Sequence, residues 1–346
     1  MNKVDSLQTV RAVAAIMVVI DHSLNQLSKF REYGTVLDHY INSAKYLGNI
    51  GVMVFFIVSG WIMILTTDNK NWTRNFAKVF ILKRIFRVLP LYWIYLTILV
   101  GLYLLGFAFH NGYYSPEKIL SSYFLIPYKD FATDGINPVL PQAWTLIYEM
   151  FFYGLFSLSI LFLSKRFNIY FISFVFAFLF ISSLWVKNNS AFQSFSSNPI
   201  TIFFIVGMLL YRMKLNTELG KYLRLSLLLI FIILTFALFT FSYSKDIEFI
   251  LTGLSSIVLF IYIFTSAHNA KIVMYIGDAS YSIYLIHIFV TLAFGTLLKK
   301  TNTSMCGDFL LLLGTILGSI ILGCVSYYIV ERRLIKFLNN TYLKKA

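Results

Sequence analysis

About ten apolar runs, each long enough for a helix to cross a bilayer, follow one another along this chain. A membrane-spanning helix needs about 20 mostly apolar residues. Only 13% of the 346 residues are charged, whereas soluble domains carry about 25%. The runs lie at 8–28, 48–67, 88–109, 144–164, 167–187, 198–213, 222–242, 247–265, 281–298 and 309–330. The sequence therefore predicts an all-α, polytopic membrane helix bundle of about ten transmembrane helices.

The stretches between the runs are short, and none is hydrophilic over a length that a soluble domain needs. We therefore expect residues 1–346 to form a single integral membrane domain without an appended soluble domain. The segment 119–127 is apolar but too short to span, so we expect it to lie at the interface or to re-enter the membrane.

Lysine and arginine set the expected orientation. The formal net charge is +14, and most of the 29 Lys and Arg residues fall in segments that share a side with the N-terminus. Basic loops stay in the cytoplasm, so an N-in and C-in arrangement is expected, which an even number of spans permits. The positive charge need not indicate binding to nucleic acid, and no nucleic-acid partner is expected. The two cysteines have no metal-binding spacing, so no metal site is expected.

Charged side chains inside the runs indicate where chemistry is expected. Each costs about 2.5–3.5 kcal/mol at mid-span on insertion scales, so such residues usually face the bundle interior. Arg11 and His22 lie within about 20° of one helical face and about 16 Å apart along the axis. With Arg11 near the inner surface, His22 lies beyond the bilayer midplane. Asp21 points about 100° away, so its pairing with His22 cannot be assumed.

Glu149 is a second titratable side chain deep within a run. It lies roughly 8–12 Å below the outer surface, a depth close to that of His22. A carboxylate that meets an imidazole fixes its tautomer, and an imidazole held in this way can take a proton from a hydroxyl. We therefore expect Glu149 to lie close enough to orient His22.

Two further runs carry polar residues at helical spacing or near mid-membrane. Ser280, Tyr284 and His287 share one helical face. Ser59 and Gly60 lie near mid-membrane, where a glycine lets a helix or a ligand approach closely. His287 is either a site residue or an interior histidine whose hydrogen bonds are satisfied. Ser59–Gly60 is either part of a site or a packing position.

Arg84 and Arg87 are neighbours on one helix at the inner surface. Guanidinium groups match phosphate geometry, so this pair suits a multiply phosphorylated ligand. The alternative is that the two arginines only determine topology.

Five segments, taken in order, resemble acyltransferase family 3, a family of integral membrane proteins. They are "RAVAAIMVVIDH" with Arg11 and His22, "FFIVSGW" with Phe55, Phe56, Ser59, Gly60 and Trp61, "RIFRVLPLY" with Arg84, Arg87, Pro90 and Tyr92, "AWTLIYEMFFY" with Trp144, Thr145, Glu149, Phe152 and Tyr153, and "SYSIYLIH" with Ser280, Tyr281, Tyr284 and His287. Any one of them is a weak signal, whereas all five in family order are specific. The chain departs mildly from the family pattern at Ile147, Tyr148 and Trp61, which could alter acceptor fit.

The resemblance implies an O-acyltransferase of the cytoplasmic (inner) membrane. Family members acylate hydroxyl groups, most often acetylating sugars of surface polysaccharide, lipopolysaccharide or other envelope glycans. The donor would be cytoplasmic acyl-CoA, here acetyl-CoA, with no permanently bound cofactor, and Arg11, Arg84 and Arg87 would bind it. His22, supported by Glu149, would act as general base on the acceptor hydroxyl or would carry the acyl group as a nucleophile. The sequence leaves both mechanisms open.

The remaining candidate site residues are Asp21, Ser59, Gly60, Trp144, Tyr281, Tyr284 and His287. An alternative function of another class is a proton-coupled transporter or flippase of an envelope precursor, with His22, Glu149 and His287 as a proton relay. The sequence shows no internal repeat, and its basic inner cluster fits a phosphorylated donor better. Release of CoA from acetyl-CoA distinguishes the two functions.

Overall fold

The computed structural model describes residues 3–106, 114–129, 135–185, 190–215, 219–266 and 270–343. Within these ranges the chain forms α-helices with short 3-10 and π turns, and no strand, so the predicted all-α polytopic bundle is confirmed. In chain order the helices are α1 (Lys3–Phe30), α2 (Thr35–Ser43), α3 (Lys45–Thr67), α4 (Arg74–Leu104), α5 (Pro116–Tyr123), α6 (Trp144–Phe162), α7 (Asn168–Trp185), α8 (Ala191–Ser196), α9 (Ile202–Arg212), α10 (Lys221–Thr240), α11 (Lys245–Ser266), α12 (Lys271–Asp278), α13 (Ser280–Lys300), α14 (Met305–Ser326) and α15 (Arg332–Tyr342).

The helices form two compact units. The first comprises Met1–Val58 and Met213–Ile329, and the second comprises Ser59–Arg212 and Val330–Ala346. Helix α3 begins in the first unit and ends in the second. The expectation that the whole chain is one domain stays a prediction.

Helix α1 is the central element of the first unit. It packs against α2, α11, α12, α13 and α14, while α10 packs on α11. Small and β-branched residues fill one buried cluster along α1, namely Ala15, Val19, Ala279 and Ile283. Within a bilayer, close packing of this kind replaces the removal of apolar surface from water as the main source of helix association.

A polar network closes one end of the first unit. Arg31 Nε donates to Asp308 Oδ2 over 3.0 Å, and Arg31 Nη2 donates to Thr301 O over 2.6 Å. The Tyr33 hydroxyl donates to the same Asp308 oxygen over 2.7 Å. Burial and this hydrogen bond raise the pKa of the Tyr33 phenol, so the hydroxyl stays a donor. The network ties the chain after α1 to the start of α14.

The second unit is arranged around α4 and α6. Helix α4 packs against α6 and α15, α6 packs against α7, and α7 packs against α8 and α9. Helix α4 begins at Arg74, well before the predicted span 88–109. The reason is a cap, because Thr73 Oγ1 accepts a hydrogen bond from Phe76 N over 3.1 Å. The short apolar segment at 119–127 overlaps α5, a helix of only 8 residues.

Nine helical segments in the described ranges are long and apolar enough to cross a membrane. In order, they correspond to the second to tenth predicted spans. The first predicted span lies in the 28-residue helix α1, whose length of about 42 Å exceeds the roughly 30 Å hydrocarbon core. Helix α1 is not one of the nine, so its crossing and the cytoplasmic placement of both termini stay predictions.

Candidate active site

Two histidines from distant parts of the sequence meet in the first unit. His22 lies on α1 and His287 on α13, and their rings contact each other edge to face, with centroids 5.0 Å apart and planes at 73°. The His287 side chain is fully buried, whereas the His22 side chain retains 34% of its exposure. Of the two rings, His22 is therefore the one that a substrate can reach.

The hydrogen bond of His22 defines which ring nitrogen is free. His22 Nδ1 lies 2.9 Å from Val18 O, a carbonyl oxygen that can only accept, so Nδ1 carries the proton. In the neutral ring, Nε2 then keeps its lone pair. An imidazole nitrogen in this state can accept a proton or attack a carbonyl carbon.

His287 is held in the same way. Its Nδ1 lies 3.2 Å from Ile283 O, and its Nε2 is buried without a hydrogen-bond partner among the residues that the structure describes. Tyr284 packs its ring against His287, with centroids 5.9 Å apart, and against Phe55, with centroids 6.1 Å apart. The shared face predicted for Tyr284 and His287 is thus present, and it lies beside His22.

Asp21 is closer to His22 than the helical angle alone suggested. Asp21 Oδ2 lies 3.7 Å from His22 Nδ1, too far for a hydrogen bond but near enough for an electrostatic effect. The carboxylate has this position because Gly48 of α3 has no side chain. A Cβ atom at position 48 would lie 2.0 Å from Asp21 Oδ2.

Arg11 and Tyr281 complete the predicted residues of the first unit. Arg11 is 7% exposed, and its Nη1 donates to Gln8 Oε1 over 2.9 Å. Tyr281 is half-buried at the start of α13. Arg11 lies in the first half of α1, eleven residues before His22, and its donor-binding role stays a prediction.

Glu149 of α6 belongs to a second polar cluster, inside the second unit. Ser59 Oγ donates to Glu149 Oε1 over 3.1 Å, and the Tyr153 hydroxyl donates to the same oxygen in a short hydrogen bond. Within the described residues, Oε2 of Glu149 receives no hydrogen bond. Two donors therefore hold the carboxylate by one oxygen and leave the other available. That Glu149 orients His22 stays a prediction.

Arg84 lies between two aromatic rings in the same cluster. Its Cζ is 5.5 Å from the ring centroids of both Phe80 and Tyr153, and its Nη2 lies 3.4 Å from Thr66 Oγ1. None of the ion pairs in the described part of the chain includes this guanidinium. Arg87 follows one turn later on α4 and is half-buried. A cation on a membrane-spanning helix that forms no ion pair with a carboxylate suits an anionic ligand.

Gly60 and Trp144 have packing neighbours in the second unit. A Cβ atom at position 60 would lie 2.0 Å from the carbonyl oxygen of Phe204, so Gly60 lets α3 contact the backbone of α9. This contact agrees with the packing alternative for Gly60. Trp144 packs its ring against Tyr148 of the same helix, with centroids 6.0 Å apart.

Sequence reasoning named Tyr153 only as part of a motif and passed over Thr66 and Gly48. Tyr153 lies four residues after Glu149, so their shared face could have been read from the sequence. The contacts that Gly48 and Thr66 make depend on tertiary packing. Across the described ranges, no group of three or more His, Cys, Asp and Glu side chains is arranged to hold a metal ion.

The apolar helices, with titratable clusters inside them, define a multi-pass membrane protein. The model of acyltransferase family 3, described as an acyltransferase domain, matches residues 4–324. The chain belongs to this family of acyltransferases.

Among curated proteins, the chain is similar to the exopolysaccharide production protein ExoZ of Rhizobium meliloti (strain 1021). The two are 29% identical over 295 residues, which cover 84% of this chain and 90% of ExoZ. No solved structure matches the chain.

Proposed function

We propose that this protein is a membrane O-acetyltransferase that moves an acetyl group from acetyl-CoA to a sugar hydroxyl of an exopolysaccharide or a related envelope glycan. Family membership supports acyl transfer. Likeness to an exopolysaccharide production protein supports a polysaccharide acceptor and favours it over lipopolysaccharide. The observation that carries the chemistry is His22, whose Nδ1 is bound to Val18 O while Nε2 keeps its lone pair.

Two reaction paths begin at this nitrogen. As a general base, His22 Nε2 takes the proton of the acceptor hydroxyl while the hydroxyl oxygen attacks the thioester carbonyl. The carbon–sulfur bond then breaks, and CoA leaves as a thiol once it has received the proton. As a nucleophile, Nε2 attacks the thioester carbon, the carbon–sulfur bond breaks, and CoA leaves as a thiolate. The acceptor hydroxyl then attacks the acyl group on Nε2, the histidine is released, and the hydroxyl proton neutralises the thiolate.

The assignment of acyl-CoA as the donor rests on three arginine side chains. Arg84 has a guanidinium without an ion-pair partner in the described ranges and is held between two rings. Guanidinium groups bind phosphate through paired, charge-assisted hydrogen bonds, and CoA carries several phosphate groups. We assign Arg84, Arg87 and Arg11 to the donor. Because the donor is cytoplasmic, the protein would lie in the cytoplasmic membrane with both termini inside.

Glu149 is the second catalytic group of this proposal, through the carboxylate oxygen that Ser59 and Tyr153 leave free. Membership of an acyltransferase family favours the enzyme over a proton-coupled transporter with the same titratable residues. A transporter would release no CoA from acetyl-CoA.

Mass spectrometry of the surface glycans tests the proposal. Strains with and without the gene are compared, and the strain without it is expected to lose one acetyl group per repeating unit. A copy carrying His22→Ala serves as the matched control, and it should not restore the acetyl group while the parent copy does. Identical glycan masses in all the strains would contradict the proposal that a surface glycan is the acceptor.

A further inference from the structure

Opposite charges share the second-unit cluster without forming an ion pair. Arg84 and Glu149 both contact Tyr153, yet no ion pair joins them within the described part of the chain. Inside a membrane protein, a guanidinium and a carboxylate attract each other strongly, because water screens them little. Their separation therefore needs a physical cause.

The Tyr153 side chain lies against both charged groups. Its hydroxyl donates to Glu149 Oε1, and the Arg84 guanidinium lies over its ring, with Cζ 5.5 Å from the centroid. Tyr153 therefore contacts both charged groups: its hydroxyl donates a hydrogen bond to the Glu149 carboxylate, and the face of its ring makes a cation–π contact with the Arg84 guanidinium. Phe80 holds the guanidinium at the same distance of 5.5 Å.

Ser59 supports this arrangement but cannot produce it alone. Its Oγ donates to the same Glu149 oxygen over 3.1 Å, which fixes the carboxylate on the side of α3. Ser59 has no ring to hold a cation. Among the described residues, Tyr153 is the one that both donates a hydrogen bond to Glu149 and places an aromatic ring against Arg84.

We propose that Tyr153 is a positioning residue that prevents an ion pair between Arg84 and Glu149, so that Arg84 stays available for a donor phosphate and Glu149 for the reaction. This inference rests on the proposed function, because it takes the phosphates of acyl-CoA as the ligand of Arg84. Loss of the Tyr153 ring lets the long Arg84 side chain turn to the carboxylate. The donor and Glu149 then compete for the same guanidinium.

Binding of CoA to the purified full-length protein, measured by equilibrium dialysis, tests this competition. Tyr153→Leu removes the ring and should weaken CoA binding by roughly 10-fold or more, the loss expected when one charge-assisted contact is withdrawn. Adding Glu149→Gln to Tyr153→Leu removes the competing charge and should restore the affinity to within a few-fold of the parent. A purely structural defect at Tyr153 would not be rescued by a substitution at Glu149.

Tyr153→Phe separates the ring from the hydroxyl. The ring remains, so CoA affinity should stay close to that of the parent, while kcat falls because Glu149 loses a donor. Ser157→Ala is the matched control, because Ser157 lies on the same helix, one turn after Tyr153, and its hydroxyl donates to the backbone oxygen of Ala77 over 3.4 Å. It should change neither quantity. If Tyr153→Leu does not fold, the same measurements are made on Tyr153→Met. Methionine also lacks the ring, and its flexible side chain fills irregular space.

The outcomes are distinct. Parent-like CoA affinity in folded Tyr153→Leu would overturn the inference, and so would a loss that Glu149→Gln leaves uncorrected. Absence of CoA binding by the parent protein would instead overturn the donor of the proposed function, and the inference with it.

Discussion

The imidazole rings of His22 and His287 lie edge to face, with centroids 5.0 Å apart, in the interior of the first unit. Each ring donates from Nδ1 to a carbonyl of its own helix, four residues earlier. The His287 ring therefore lies against His22 and limits the planes that the His22 ring can adopt. We propose that His22 meets the substrate and that His287 positions the His22 ring.

Replacing His287 should reduce transfer less than replacing His22. His287→Ala removes the ring that packs against His22, and misplacing a catalytic group by about 1 Å costs roughly 100-fold or less in rate. His287→Phe keeps an aromatic ring there without either nitrogen and should retain most of the activity. Steady-state acetyl transfer by the purified variants measures both effects. A loss in His287→Phe as large as that in His22→Ala would show that a His287 nitrogen acts directly.

Gly48 is expected to affect kcat through the position of the Asp21 carboxylate. Gly48→Ala places a methyl group 2.0 Å from Asp21 Oδ2 and 2.9 Å from Asp21 Cβ, so the carboxylate must turn away and the two helices must separate slightly. The negative charge near His22 is then displaced, and kcat should fall about tenfold, equivalent to about 1.4 kcal/mol. Asp21→Asn should have a similar effect.

The double variant Gly48→Ala with Asp21→Asn provides the decisive comparison. If Gly48 acts only by positioning the charge of Asp21, the double variant should be no slower than Asp21→Asn alone. Losses that multiply would show that Gly48→Ala disturbs packing instead.

The arginines that we assign to the donor are expected to control the affinity of the protein for CoA. Arg84→Ala and Arg87→Ala each remove a charge-assisted hydrogen bond, which costs about 1.5–3 kcal/mol, or roughly 10- to 150-fold in Kd. Arg84→Lys should restore little of this affinity where the contact is bidentate. Lys83→Ala is the control, because Lys83 is exposed on the same helix. An unchanged Kd for CoA in both arginine variants would show that Arg84 and Arg87 only determine the membrane topology.

A natural cysteine can test the orientation. Cys306 is exposed at the start of α14, between the ninth and tenth predicted spans, where N-in and C-in topology places it outside. A membrane-impermeant maleimide should label Cys306 in intact cells. Lys78→Cys in a Cys306→Ser background should be labelled only after permeabilisation. The opposite pattern would invert the topology.

The sequence was sufficient for the helical class and for contacts within a helix. Apolar run length predicts the spans, and a spacing of three or four residues predicts that Tyr284 contacts His287. The same rule links Phe80 to Arg84 on α4. These features depend on local geometry, which a sequence displays directly.

Contacts between helices required the structure. No local rule brings α13 to α1, so the meeting of His287 with His22 could not be read from the chain. The position of Asp21 depends on the empty space at Gly48, because a helical angle describes the backbone and leaves the carboxylate free to turn. The Tyr153 ring beside Arg84 likewise joins two helices, α6 and α4.

The rate of acetyl transfer by purified His22→Ala, with acetyl-CoA and the acceptor glycan, tests most directly whether His22 performs the acyl transfer. Loss of a general base should lower kcat by about 10²–10⁴-fold, and loss of a nucleophile by more, while CoA affinity stays near that of the parent. A rate within a few-fold of the parent would contradict the assignment of His22 as the catalytic residue.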